Sequence, residues 1–243
     1  MIGLRRVVGS VVLLTLATAA CSSTSTSTSS GSTQNVAGDR ALARAANLRL
    51  SDFPAGWTAT ANPESSSGQG VDKDLASCLK TNAAAFAQSA PTRVSSPEFG
   101  DTSHDMASSS ITYLASTSEA ETGIALFQQP TAAACLQTVV TATVSQVLAH
   151  PTNPSETLPL GMALGSPMVA PLSFPTLGNQ SVAYRVTIPI TGSSLSLSLY
   201  VDLVIAQKGR AIALLTFVGA LSPFDPSLEQ HLSTLTVGRL VDT

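Results

Sequence analysis

Apolar and polar residues alternate along much of the last third of the chain, from Val182 to Val218. Apolar side chains hold every second position over 182–190 and again over 195–205, with polar or small residues between them as far as Asp202. A period of two places successive side chains on opposite faces of a β-strand. Short polar stretches with glycine separate the runs, so the pattern predicts an antiparallel meander of three strands with one apolar face.

Helical signals come before and after this meander. Residues 72–79 begin with acids, which suit the positive end of a helix dipole, and Ser118 followed by Glu121 has the form of a capping box. A longer helix is predicted over 131–149, and Asp225, with proline after it, begins a closing amphipathic helix. The predicted fold is therefore α+β, with a twisted antiparallel sheet and helices packed mainly on one face.

Other segments have less regular patterns. Residues 41–50 are predicted as a helical turn or a first strand, and the turn that follows ends at Trp57, which we interpret as a core side chain. A strand is predicted over 109–115. Residues 150–180 are rich in proline and glycine and are predicted to be irregular, with at most a short strand near 168–172. A long irregular segment in a compact domain is often functional, so this one is a candidate border of a groove over the sheet.

The N-terminus has the three-part pattern of an export signal, with two arginines before an apolar run at 7–16 and small residues leading to Cys21. The run is about half the 20 residues that a membrane span needs. A cysteine directly after a small-residue cleavage site resembles the lipobox of bacterial lipoproteins, although Thr18 stands where leucine is usual. The resemblance implies a signal peptide over 1–20 and acyl chains such as palmitate anchored through Cys21. The alternative is a secreted protein cut near Ala19.

Residues 22–33 are serine and threonine apart from one glycine, with no charge and no apolar side chain to bury. Such a segment cannot offset the entropy of becoming ordered, which predicts a disordered tether over 21–40. The tether is either a bare spacer or a carrier of O-linked sugars. The remaining residues, 41–243, suffice for one domain with a substantial core.

Two cysteines, Cys78 and Cys135, remain once Cys21 is assigned to lipid. In an exported chain an isolated pair predicts one disulfide, which here would join two predicted helices. The alternative is a thiol nucleophile, which requires a reduced cysteine beside a base.

The charge of the chain is low: 11% of residues are charged, with 12 basic and 15 acidic side chains. Removing residues 1–20 takes away two arginines and no acid, so the mature chain has 10 basic and 15 acidic groups, formally −5. No cluster of Lys and Arg is available for phosphate backbones, and nucleic acid is excluded as a partner. A mostly neutral polar surface favours neutral or glycan-like surroundings over electrostatic steering.

No catalytic or metal-binding motif stands out in the sequence. The three histidines, His104, His150 and His231, do not have the spacing of a metal-binding pair. His104 with Asp105 would suit a hydrolase, yet the chain has no Gly-x-Ser-x-Gly elbow. We therefore expect no metal, no cofactor and no enzymatic activity, with a hydrolase as the less favoured alternative.

Several short motifs resemble, in their order, the extracellular sensor domain of mycobacterial receptor Ser/Thr kinases. The resemblance implies an exported, sensor-like α+β domain with a ligand groove. That family has two disulfides where this chain has cysteines for one, and the resemblance transfers no catalytic residue. A neighbouring resemblance is to the Mog1/PsbP-like fold of other mycobacterial lipoproteins. The motifs that carry the first resemblance are Leu50–Trp57, Cys78, Ser96–Phe99, Cys135-Leu136, Gly209-Arg210, Pro223-Phe224 and Arg239-Leu240.

The leading hypothesis is a non-catalytic binding module, anchored by lipid on the extracytoplasmic face of the cell membrane. Its ligand would be an envelope glycolipid, a peptidoglycan fragment or a protein partner. The alternative is a structural or accessory envelope protein that uses the exposed sheet face for protein contact. Arg185 and Arg210 are the candidate surface contacts, and their plainer interpretation is a solvated strand face.

Overall fold

The computed structural model describes residues 35–61, 71–81, 91–149, 162–192 and 196–242. The predicted signal peptide, Cys21, the predicted tether up to residue 34 and His150 lie outside these residues. The described strands form one nine-stranded antiparallel sheet. They are β1 (Thr58–Thr60), β2 (Val94–Ser95), β3 (Glu98–Gly100), β4 (Met106–Tyr113), β5 (Ala163–Leu164), β6 (Met168–Pro171), β7 (Gln180–Thr191), β8 (Ser196–Lys208) and β9 (Ala211–Gly219).

The described residues also form five α-helices, so the predicted α+β fold with an antiparallel sheet is confirmed. A 3-10 turn at Leu50–Asp52 follows the first helix. The helices are α1 (Val36–Ala46), α2 (Val71–Cys78), α3 (Thr117–Phe127), α4 (Ala132–Ala149) and α5 (Pro226–Gly238).

The centre of the sheet is the predicted meander of β7, β8 and β9, extended on the far side of β9 by β4. The strand order is β1-β3-β4-β9-β8-β7-β5, with β2 also paired to β4 and β6 also paired to β7. The described part of the segment predicted to be irregular, from 162 onward, contains β5 and β6. These two short strands cover the outer edge of β7, which would otherwise present unpaired backbone groups.

Helices cover both faces of the sheet, where the sequence pattern indicated mainly one. The side chains of Val204 and Leu215 pack with α1 and α5, whereas Ile205 and Leu214 pack with α2, α3 and α4. The cause is that β8 and β9 carry apolar side chains at successive positions, as in the buried run Leu203–Ala206. A strand that is apolar on both sides has to be covered on both sides.

A disulfide joins α2 to α4 through Cys78 and Cys135, as the cysteine count predicted. The Sγ–Sγ distance is 2.01 Å and the sequence separation is 57 residues. Loop-closure entropy gives such a cross-link a stabilising effect of about 4 kcal/mol. The buried residues around it, including Leu75 and Leu136, form a cluster of their own against the sheet.

The first helix begins five residues earlier than the predicted domain boundary at residue 41. Asn35 caps α1, its Oδ1 accepting the Gly38 N–H at 3.0 Å. Asp39, inside the predicted tether, is buried and ion-paired with Arg210, a residue 171 positions later. Because the two residues are so far apart in the sequence, no local pattern indicates that Asp39 pairs with Arg210.

The cap of α3 also differs from the prediction. Ser116, two residues before Ser118, is the N-cap, and its Oγ accepts the Glu119 N–H at 3.2 Å. The Glu119 carboxylate in turn accepts the Ala115 N–H at 3.1 Å. The start of α3 therefore has two reciprocal hydrogen bonds like those of a capping box, two residues earlier than predicted.

Trp57 is half-buried at one end of the sheet, where the turn after α1 meets the approach to α5. Its ring stacks on Phe53 with centroids 4.6 Å apart and meets the edge of Phe224 at 5.9 Å. Phe224 in turn lies 5.1 Å from Phe217 of β9. This aromatic chain joins the early turn to the core, in line with the interpretation of Trp57 as a core side chain. Among the described helices, none is long and apolar enough to cross a membrane.

Reducing the disulfide should lower the free energy of unfolding by up to about 4 kcal/mol, because the unfolded chain regains the entropy of a 57-residue loop. Urea unfolding of the oxidised and reduced protein measures the difference without changing a side chain. A Cys78→Ala/Cys135→Ala variant is the control, since reductant should leave its midpoint unchanged. Equal midpoints for oxidised and reduced wild type would contradict the prediction.

Replacing Asp39 with Asn should loosen α1, because the partly buried guanidinium of Arg210 loses its carboxylate. We expect a loss on the order of 2 kcal/mol, less than for a fully buried pair. Hydrogen exchange of the α1 amides should then be faster in the variant than in wild type, whereas exchange of the β8 amides should change less. Asp74→Asn on the exposed side of α2 is the matched control. Unchanged α1 exchange in Asp39→Asn would show that the ion pair does not hold the helix.

Candidate functional site

Arg185 lies on β7, directly opposite Asp202 of β8. Its Nε donates to Asp202 Oδ1 at 2.7 Å and its Nη2 to Oδ2 at 2.6 Å, a two-point contact that fixes the plane of the guanidinium. Asp202 is 1% exposed, whereas the Arg185 side chain is 27% exposed. The carboxylate is thus buried beneath an arginine that reaches the surface.

Glu229 of α5 faces this ion pair from above the sheet. It is buried, and burial is the main reason that its pKa is raised to about 8. The neighbouring Asp202 raises the pKa further, while Arg185 opposes the shift. At neutral pH the Glu229 carboxyl therefore keeps its proton, and its O–H donates a hydrogen bond to the Asp202 carboxylate. With one arginine, one carboxylate and one neutral acid, the group carries no net charge.

Two buried hydroxyls lie further along the same face of α5. Ser233 and Thr236 follow Glu229 at helical spacing on the same face, and both are fully buried. Among the residues that the structure describes, neither hydroxyl oxygen has a hydrogen-bond partner, nor has Glu229 Oε1. We call Asp202, Glu229, Ser233 and Thr236 the polar seam. Buried groups of this kind cost free energy and are uncommon in a core, which marks the seam as unusual.

Beside the seam the sheet face opens to solvent. Arg185 and Thr187 of β7 lie on the same face as their partners Asp202 and Tyr200, and Pro189 lies opposite Ser198. Arg185, Thr187, Pro189, Ser198 and Tyr200 are all half-buried. We call these five residues the β7–β8 shelf.

The loop between β9 and α5 closes one side of the shelf. Gly219 is the cross-strand neighbour of Tyr200, and a Cβ added to it would lie 2.0 Å from the Ser222 carbonyl oxygen. The loop backbone therefore passes over Gly219 on the Tyr200 side of the sheet. Leu221 in this loop is 64% exposed.

Arg210, the other predicted surface contact, has a different environment. Both of its terminal nitrogens donate to Asp39, Nη1 at 2.9 Å, and Nη1 also donates to the Leu114 carbonyl at 2.9 Å. Its guanidinium carbon lies 5.2 Å from the centre of the Tyr113 ring. Arg210 is thus part of the α1 attachment and is not brought together with Arg185.

A third arginine–aspartate pair joins the turn after α1 to the end of α5. Arg239 donates to both carboxylate oxygens of Asp52, at 2.8 and 2.6 Å. Burial alone would raise the pKa of Asp52, but the Arg239 contact and the Arg49 N–H hold it below its usual value. This pair holds the C-terminal end of α5, and no pattern in the sequence predicted it.

The His104–Asp105 pair lies in the turn between β3 and β4. His104 has a left-handed backbone (φ 73°), and its Nδ1 has no hydrogen-bond partner in the described part of the chain. Burial raises the pKa of Asp105 to about 6, with Asp101 and Asp225 adding to the rise and the Ala220 N–H opposing it. His231 is exposed on α5. No three His, Cys, Asp or Glu side chains of the described ranges are arranged to hold a metal ion.

The sequence pattern identified Arg185 and missed the acids around it. One signal in the sequence could have revealed Asp202. If Thr191 pairs with Ser196 next to the hairpin turn, then six residues further from the turn on each strand Arg185 pairs with Asp202. The approach of Glu229 depends on how α5 lies across the sheet, and no spacing in the sequence reveals it.

Glu229→Gln should flatten the dependence of stability on pH. Between the ordinary glutamate pKa of 4.5 and about 8, the folded protein keeps a proton on Glu229 that the unfolded chain has lost. Stability from this group therefore falls as pH rises, by up to about 1.4 kcal/mol per pH unit. The measurement is best made from about pH 6.5 to 8. This range lies above the pKa of Asp105, which is about 6, so Asp105 adds little to the slope there.

Urea unfolding at several pH values in that window measures the slope, and the variant should be the more stable protein at pH 8. Glu121→Gln, at an exposed position of α3, controls for the loss of a carboxylate and should retain the wild-type slope. A Glu229→Gln slope equal to that of wild type would rule out the buried, protonated carboxyl.

Comparison of the chain with models of known protein families, with curated proteins and with solved structures finds no match. The likeness to kinase sensor domains stays a prediction from short motifs.

Proposed function

We propose that the protein is a non-catalytic binding module, held by lipid on the outer side of the cell membrane, which takes an envelope ligand on the β7–β8 shelf. The observation that carries the proposal is the fixed Arg185 at the edge of the polar seam. A side chain that is locked by a buried partner and still reaches the surface offers hydrogen bonds in a set direction.

Strand residues suit such a site because the sheet holds them rigidly. Arg185, Thr187 and Tyr200 belong to two long strands that pair over their whole length. The hairpin is covered on its opposite face by a cluster that includes Ile188, Leu199 and Val144 of α4. A surface that does not have to become ordered on binding loses less free energy when a ligand arrives.

The cysteines support a location outside the cytoplasm. The chain has three, and Cys78 and Cys135 are joined to each other, which leaves Cys21 for lipid. Disulfides persist in oxidising compartments and are rare in the cytosol. Thirteen residues, 22–34, separate Cys21 from the cap of α1. Their fully extended length is at most about 45 Å, so the domain would stay near the membrane surface.

The anchor is tested by metabolic labelling with a palmitate analogue in cells that express wild type or Cys21→Ala. We expect label and detergent-phase partitioning in wild type, and loss of both in the variant, because the thiol is the acylation site. Ser23→Ala, two residues away, is the matched control and should be labelled like wild type. Equal label in wild type and Cys21→Ala would overturn the anchored form of the proposal.

Binding is tested separately, with the mature Cys21→Ala chain mixed with isolated cell envelopes. We expect it to sediment with the envelopes, and Arg185→Ala to reduce the bound fraction. Thermal unfolding of the variant, compared with wild type, separates loss of binding from loss of folding. Sedimentation equal to that of an unrelated exported domain would count against a binding module and in favour of an accessory role.

A further inference from the structure

The β7–β8 shelf is polar without being charged. Thr187, Pro189, Ser198 and Tyr200 carry no charge, and the charge of Arg185 is matched by Asp202 directly beneath it. Glu229 adds none while it holds its proton. An anion that approached Arg185 would meet the field of the buried carboxylate as well, so the shelf has no net attraction for charged ligands.

The shelf is nevertheless rich in groups that form hydrogen bonds. A guanidinium has five N–H donors, and Asp202 uses two of those on Arg185, which leaves three. Within the described ranges, the hydroxyls of Thr187, Ser198 and Tyr200 make no hydrogen bond to the protein. Each hydroxyl both donates and accepts. The matching ligand is one that also presents many neutral donors and acceptors.

The aromatic ring adds a second kind of contact. Tyr200 lies opposite Thr187 in the middle of the shelf and is half-buried, with the loop that contains exposed Leu221 passing on one side. A phenol combines an apolar ring with a polar tip. A ligand that has C–H groups on one side and hydroxyls around its edge would use both parts.

Sugar rings have this combination of an apolar face, a hydroxyl edge and no charge. We propose that the β7–β8 shelf binds a neutral glycan strand, with one sugar ring on Tyr200 and the hydroxyls of successive rings bonded to Arg185, Thr187 and Ser198. This inference rests on the proposed binding function and names the chemistry of its ligand. Asp202 and Glu229 serve as positioning residues, because Asp202 fixes the plane of the Arg185 guanidinium and Glu229 contacts Asp202.

The shape of the shelf suits an extended chain more than an enclosed small molecule. The cross-strand pairs Arg185–Asp202, Thr187–Tyr200 and Pro189–Ser198 follow one another along the hairpin. Successive pairs on one face are about 7 Å apart, so the shelf has the length of two to three sugar units. Affinity spread over a few such units is modest, with a dissociation constant on the order of 0.1–1 mM.

The test uses the mature Cys21→Ala chain and isothermal titration with neutral tetrasaccharides of glucose, mannose, galactose and N-acetylglucosamine. Sulfated dextran and phosphatidylglycerol vesicles serve as charged probes. We expect at least one neutral tetrasaccharide to bind. Tyr200→Ala should weaken binding about tenfold or more, and Tyr200→Phe, which keeps the ring, about threefold. Thr187→Ala should weaken it, whereas Thr138→Ala on the exposed side of α4 should not.

Three results would overturn the inference: no neutral tetrasaccharide bound at about 10 mM, binding of the charged probes alone, or binding that Tyr200→Ala leaves unchanged. Thermal unfolding of each variant at the titration temperature establishes that the protein is folded. Failure here leaves the acyl-labelling and envelope results untouched, so the ligand class and the proposed function can fail independently.

Discussion

Both faces of the central strands must be removed from water, and this constraint organises the rest of the molecule. β8 and β9 carry apolar side chains on each side, so α1 and α5 cover one face while α2, α3 and α4 cover the other. The disulfide holds two of the second group together. The sheet is therefore the middle layer of a three-layer sandwich, with helices from different parts of the sequence as the two outer layers.

Three arginine–aspartate pairs add specificity to this apolar packing. In each pair the aspartate is almost fully buried and the arginine is about one-fifth to one-quarter exposed. Two of the pairs join segments distant in sequence, Asp39 with Arg210 and Asp52 with Arg239. Apolar contacts are tolerant of small shifts, whereas a two-point contact to a buried carboxylate fixes position and register. The third pair, Arg185 with Asp202, lies within one hairpin and leaves the guanidinium at the surface.

Much of the fold could be predicted from local patterns, because alternation and caps act over a few residues. The strands after Val182, the helix that begins at Asp225 and the pairing of Cys78 with Cys135 all follow from such signals. What the sequence concealed depends on contacts between distant segments. The start of α1 is tied to a partner far along the chain, and the burial of Glu229 depends on where α5 crosses β8. The same holds for the candidate site, of which Arg185 alone was predicted.

The attachment of α1 also determines how the domain would respond to mechanical force. A chain anchored through Cys21 and bound to an immobile polymer is under tension whenever the membrane and the polymer move apart. Among the described elements, that tension would reach α1 first, and would pass through Asp39 to Arg210, which directly precedes β9, and to β4 through the bond from the Leu48 N–H to Ser109. The load would therefore reach β4 and β9, which pair with each other over eight residues inside the sheet, and would bypass the edge strands, which would separate first.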